Sequence, residues 1–158
     1  MEEKFTFFYR TKHPFSQWYP CSFIIDGIQF NCTEQFMMFS KAKLFANESI
    51  AEKILELKEP REQKALGREV KNFDEAVWNK EAKSIVYKGN FAKFTQNENL
   101  KILLLKTAGT TLVEASPSDI IWGIGLPEDH PDRFDKTKWR GKNWLGEVLT
   151  QVRDDINK

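Results

Sequence analysis

The sequence predicts a mostly helical α+β fold, a single domain over residues 1–158 whose helical core is preceded by short strands. Three observations carry this. Asp26-Gly27 is a two-residue turn between Phe23-Ile24-Ile25 and Ile28-Gln29-Phe30, the pattern of a tight hairpin. From Asn31 onward, apolar residues recur mainly at helical spacing. The chain has 158 residues, 41% of them hydrophobic, with 13 Phe and 5 Trp, so one core can form without disulfides or metal.

Residues Lys4–Phe8 alternate β-formers with polar groups and predict a strand, and Ser22–Phe30 predicts the hairpin. Asn31 is placed to cap a helix running to about Phe45, with Glu34 early in its first turn. A second helix covers about Glu48–Lys58 and stops at Pro60; Glu59–Gly67 forms a further helical turn. Asp74 caps a helix through Lys88, whose apolar face carries Val77, Trp78, Ala82, Ile85 and Val86, and Gly89 is expected to end it. Asn97 or Asn99 starts the next, with Leu100, Leu103, Leu104 and Thr107 on one stripe. Thr111–Ala115 is strand-like, broken by Pro117. Residues Trp122–Gly141, rich in Gly, Pro and charge, predict a long surface loop. Asn143 then caps a last helix bearing Leu145, Val148, Leu149, Val152 and Ile156.

Charge and composition exclude several classes. The 24 basic and 23 acidic residues nearly cancel, which argues against holding nucleic acid by bulk electrostatics while leaving room for a local phosphate pocket. No apolar run approaches the roughly 20 residues needed to span a bilayer, and Met1-Glu2-Glu3-Lys4 lacks the plan of a secretory leader. Cys21 and Cys32, without metal-type spacing, are expected to be reduced thiols of a cytoplasmic protein. With His13 and His130 the only histidines, neither a metal site nor a histidine-based nucleophile is expected, and no cofactor is called for.

Carboxylates are the better candidates. Glu34 either reaches back to the Asn31 N–H as a capping glutamate or, seven residues before Lys41, shares a helix face with it and lines a polar pocket. Asp119 precedes Trp122-Gly123-Ile124-Gly125, where glycines let the backbone approach a ligand, or where a turn leads into a core tryptophan. Gly141-Lys142-Asn143 at a helix start offers N–H groups to a phosphate, or is simple capping. Trp78 alone reads as core. Lys93-Phe94-Thr95-Gln96-Asn97 reads as a helix cap with a solvated lysine, or as a cation serving a pocket. Two acids suit glycosidic cleavage, because negative charge stabilises an oxocarbenium-like transition state and a carboxylate can activate water.

The order and spacing of these pieces resemble the YbiA-like, or NADAR, family across nearly the whole chain. The matching stretches are Phe8-Tyr9, Phe15-Ser16-Gln17-Trp18, Asp26-Gly27, Thr33-Glu34-Gln35-Phe36-Met37-Met38 with Lys41-Ala42, Gly67-Arg68, Trp78, Lys93-Phe94 with Gln96-Asn97 and Leu100, Leu112-Val113-Glu114, Asp119 with Trp122-Gly123-Ile124-Gly125, and Gly141-Lys142-Asn143 with Leu145-Gly146. The resemblance implies an N-glycosidase acting on a phosphate-bearing ribose. The substrate would be either an early riboflavin-pathway ribosylamine phosphate or ADP-ribose on guanine in nucleic acid. It implies Glu34, Trp78, Asp119 and Trp122 at the catalytic site. Its matching stretches supply Ser16, Gln17, Lys41, Arg68, Lys93, Asn97, Gly123, Gly125, Lys142 and Asn143 as substrate-binding candidates. The family often has Ser-Asn-Phe where this chain has Ser16-Gln17-Trp18, and the spacing of the acid before Trp122 varies. The alternative is a module that binds ADP-ribose or a nucleotide without cleaving it. The two acids favour the enzyme, because a bare binder has less need of carboxylates beside phosphates, where like charges repel.

Overall fold

The computed structural model describes residues 2–158; Met1, where the leader argument begins, lies outside them. The chain divides into two compact units, one of residues 17–97 and one of residues 2–16 with 98–158.

In the 17–97 unit, strands β2 (Phe23–Ile25) and β3 (Ile28–Phe30) pair antiparallel, Phe23 opposite Phe30. Asp26 and Gly27 both have positive φ, 52° and 79°, which is what the tight hairpin turn requires. Four helices follow: α1 (Thr33–Leu44), α2 (Glu48–Glu56), α3 (Pro60–Gly67) and α4 (Glu75–Gln96). α1 packs on the other three, and Phe23, Ile25, Phe30, Phe36 and Ala92 form the core between hairpin and helices.

The sequence expectation that Gly89 ends α4 is overturned, since the helix runs unbroken to Gln96. Gly89 is interior because the Phe36 ring lies against it. A Cβ there would sit 2.8 Å from Phe36 Cδ2, so close packing outweighs the roughly 1 kcal/mol that an interior glycine costs. Val77, expected on the apolar face, is exposed.

In the other unit, β1 (Phe5–Phe8) pairs in parallel with β4 (Thr111–Glu114), Phe5 opposite Thr111. α5 (Glu98–Leu105) buries Leu100 and Leu104, while Leu103 is exposed. α6 (Trp144–Ile156) packs on β4 with Leu145, Val148, Leu149 and Val152 buried. The 122–141 segment is not a wholly surface loop. Ile124 and Leu126 join Val113 in a buried cluster, and two short 3-10 turns, Pro131–Phe134 and Lys136–Lys138, follow. No helix among the described residues is long and apolar enough to cross a membrane.

Candidate active site

The start of α1 shows which groups take its hydrogen bonds. The Gln17 carbonyl accepts the Glu34 N–H at 3.0 Å and the Thr33 hydroxyl at 3.1 Å, so a main-chain oxygen from outside the helix satisfies donors that a side-chain cap normally takes. The residue that reaches back is Gln35, whose Oε1 accepts the Asn31 N–H at 2.8 Å while its Nε2 donates to Ile54 O at 3.1 Å. Neither Asn31 nor Glu34 is the cap that the sequence suggested. The N-cap position is Cys32, which makes no side-chain cap bond. Asn31 instead donates its amide to Lys58 O and accepts from Gln63. A buried carboxylate, 6% exposed, therefore stands in the first turn of α1 without being the helix's cap.

Lys41, two turns on, lies within the field of that carboxylate. Burial pushes its ammonium below the usual lysine range, Glu34 counteracts part of that, and the Arg68 guanidinium adds to the depression. Two aromatic rings border the ammonium: its Nζ lies 4.7 Å from the Phe73 centroid and 5.9 Å from that of half-buried Trp78. The unit thus brings together Glu34, Lys41, Arg68 and Trp78 from the expected set. Glu34 favours the charged lysine and Arg68 opposes it, so the cluster carries both signs of charge.

Lys93 is not solvated. It is 0% exposed in the last turn of α4, 5.6 Å from the Tyr19 ring centroid, and burial pulls its pKa down to about 8, with the Cys21 and Cys32 sulfurs opposing that shift. Burial likewise raises both thiols, Cys32 to about 12; both cysteines are free. The ammonium has no exposed surface in this structure. Asn97 closes α4, donating to Lys93 O at 2.8 Å and Ser22 O at 2.9 Å. Gln17 is structural too, since its Oε1 accepts from fully buried Asn90 at 2.9 Å.

The remaining expected residues lie in the other unit. Ser16 donates its N–H to His13 O at 2.9 Å. Asp119 Oδ1 accepts the N–H groups of Ile121 and Trp122, both at 2.9 Å, and this closes the turn that carries the tryptophan; Trp122 packs edge-on against Trp144 at 5.5 Å. Six consecutive N–H groups at the start of α6 are already spent. Arg140 and Gly141 donate to Ile124 O, Lys142 to Ile120 O, Asn143 to Gly123 O, Trp144 to Ile121 O and Leu145 to Trp122 O, all between 2.8 and 3.1 Å.

The phosphate site expected on the backbone of Gly141-Lys142-Asn143 is therefore filled by protein carbonyls. Gly141 is glycine because a Cβ would meet Gly123 O at 2.2 Å, so the two segments touch backbone to backbone. Gly123 and Gly125 serve the same packing, against Ser116 and Arg140. Asn143 occupies the N-cap position but makes no side-chain cap. Its amide donates to Leu112 O and accepts from Glu114 N, both at 3.0 Å, tying the helix to β4. Lys142 keeps only its side chain, with Nζ 5.3 Å from the Trp144 ring centroid. No group of three or more His, Cys, Asp or Glu that could hold a metal is found among the described residues.

Sequence reasoning missed Phe73 and Gln35. Phe73 sits between two predicted helices, where no periodicity marks it. Gln35 follows the glutamate that drew the capping argument, and only the helix start one residue later than expected distinguishes them.

Comparison with known proteins agrees with this architecture. The family model described as the NADAR domain matches residues 7–157. N-glycosidase R617 of Acanthamoeba polyphaga mimivirus is 42% identical over 164 residues, covering 97% of this chain and 96% of that protein. Protein irg-1 of Caenorhabditis elegans is 39% identical over 168 residues, 96% of this chain and 79% of the relative. The NMR structure of the Escherichia coli protein YbiA superposes with a TM-score of 0.80 at 27% identity, covering 99% of this chain and 87% of that one. With a family match over nearly its whole length and relatives at about two-fifths identity, the chain belongs to the NADAR domain family.

Proposed function

We propose that this chain is an N-glycosidase that hydrolyses the bond between a base or amine nitrogen and the anomeric carbon of a phosphate-bearing ribose. The single observation that carries the proposal is Glu34. It is a nearly buried carboxylate whose capping duty has passed to Gln17 and Gln35, and its field acts on a partly dehydrated lysine. A relative at 42% identity named as an N-glycosidase supports the same reaction class.

In the proposed reaction Glu34 stabilises the ribose cation that develops as the C–N bond breaks, and orients or activates the attacking water. Lys41 and Arg68 hold the phosphate, and Trp78 stacks on the substrate. Asp119 and Trp122 enter as the second acid and second aromatic that the family resemblance assigns. Asp119 has Oδ1 engaged in its turn, and Oδ2 makes no hydrogen bond among the described residues. The substrate classes are an early riboflavin-pathway ribosylamine phosphate and ADP-ribosyl-guanine in nucleic acid.

The test is incubation with a member of each class, with release of free base or amine and of the ribose phosphate followed by mass spectrometry. Cleavage of either supports the proposal and identifies the class. Intact substrates with measurable binding would make the protein a binding module instead.

A further inference from the structure

Phe73 is a large aromatic residue left 43% exposed beside the Lys41 ammonium. Core packing does not explain its position, and the loop that carries it is held firmly. Asn47 clasps Lys71 with a reciprocal pair of hydrogen bonds, its Oδ1 accepting from Lys71 N and its Nδ2 donating to Lys71 O, both at 3.0 Å. Asn72 then takes a left-handed conformation with φ of 61°, which a non-glycine residue adopts at a cost in backbone energy. On the other side, Asp74 caps α4 by accepting from Ala76 N at 2.9 Å. The ring is further buttressed by Phe45, whose centroid lies 5.4 Å away. A clasp, a strained turn and a helix cap thus fix an exposed ring 4.7 Å from the Lys41 ammonium.

We infer that Phe73 is a substrate-binding residue of this site, stacking on the planar heteroaromatic base that a ribose phosphate carries at its anomeric carbon. The occupant follows from what surrounds the ring. One side of the ring already faces the protein's own ammonium, which leaves the exposed part of the ring to a neutral planar group rather than to a second cation. A flat base presents a π-face to an aromatic ring, and base–aromatic stacking is a strong contact that tolerates different bases. The ribose phosphate then has Lys41 and Arg68 within the same cluster. The inference rests on the N-glycosidase proposal for its choice of ligand, but its test reads binding and needs no turnover.

The experiment compares two probes that differ only in the base, GMP and ribose 5-phosphate, by calorimetric titration of the unmodified protein, Phe73→Leu and Phe73→Trp. Leucine keeps an apolar contact with Phe45 and removes the stacking face; tryptophan keeps the face. Thermal unfolding of each variant establishes that it is folded. The expected result is about tenfold weaker GMP binding in Phe73→Leu, recovery in Phe73→Trp, and unchanged affinity for ribose 5-phosphate. Unchanged GMP affinity in Phe73→Leu, or an equal loss for both probes, would overturn the inference, as would an unmodified protein that binds neither. If GMP binds through Phe73 yet no N-riboside is cleaved, the stacking role stands and the glycosidase proposal falls.

Discussion

Two helix starts, those of α1 and α6, solve the same backbone problem in opposite ways. At α1, a neutral carbonyl from Gln17 and the neutral amide of Gln35 do the accounting, and the charged residue in the turn, Glu34, is buried without serving as the cap. At α6, six N–H groups are spent on the carbonyls of Ile120–Ile124, and the nearby acid, Asp119, gives one oxygen to the turn that supplies them. Both stretches look alike in the sequence, an acid or a lysine beside a cap residue. The difference is which atoms pay the hydrogen-bond debt. At α1 a single distant carbonyl and an amide side chain take the bonds, whereas at α6 a run of consecutive carbonyls does, and the α6 backbone has no N–H left for an anion.

Substitutions at the two starts should therefore diverge. The largest effect belongs to Glu34→Gln, which the proposal expects to lower turnover by about 10²–10⁴ while changing unfolding free energy by no more than about 1 kcal/mol, because the cap is elsewhere; stopped assays and denaturant titration check both. Next is phosphate discrimination. Lys41→Met should reduce the preference for phosphorylated over unphosphorylated substrate by about 10- to 100-fold, the worth of a charge-assisted bond. Lys142→Ala should leave that preference unchanged, since the α6 backbone is already occupied. An Lys142 variant that loses it would move the phosphate to α6 and break the comparison.

A third substitution probes the scaffold behind α1. Gly89→Ala adds a methyl group 2.8 Å from the Phe36 ring, so it should destabilise by about 1–3 kcal/mol despite alanine's better helix propensity; an increase in stability would show that the ring moves aside.

At Asp119 the expected change is in stability. Asp119→Ala should cost about 1 kcal/mol by removing the acceptor for two N–H groups, and Asp119→Asn, which keeps an oxygen there, should recover most of it. Equal melting temperatures for all three proteins would contradict the structural role.

The smallest effect is a pH dependence. Lys93 is held at about 8 in the folded chain, against an ordinary lysine value of 10.5. Between those values the unfolded chain binds the extra proton, so stability rises with pH. Cys21 and Cys32 have raised folded values and act in the opposite sense from about pH 8 upward. From pH 8 to 9 the Lys93 contribution rises by about 1 kcal/mol and the two thiols offset most of it, so unfolding free energy should climb by only about 0.3 kcal/mol and then turn down. Lys93→Met should abolish the climb and keep the decline.

Much of this was legible in the chain. The hairpin followed from Asp26-Gly27, and the helices from their apolar spacing, from Pro60 and from the Asp74 cap. The acid–lysine pair followed from a seven-residue interval. What stayed hidden depends on partners distant in sequence. The Gln17 carbonyl that replaces a cap is 17 residues from Glu34. The carbonyls of Ile120–Ile124 reach N–H groups of residues 140–145. Gly89 reads as a stop signal until Phe36 is seen against it, and Lys93 reads as solvated until α4 is seen to bury it. Local pattern shows that a donor needs an acceptor, whereas the identity of the acceptor is a tertiary fact.

The most direct test separates binding from cleavage at Glu34. The unmodified protein and Glu34→Gln are each mixed with the cleavable N-ribosyl phosphate, and bound and released species are followed by mass spectrometry over a single turnover. The account predicts that both proteins bind the substrate with similar affinity, that the unmodified one releases base and ribose phosphate, and that Glu34→Gln holds the substrate intact. Release by Glu34→Gln at the unmodified rate would contradict it.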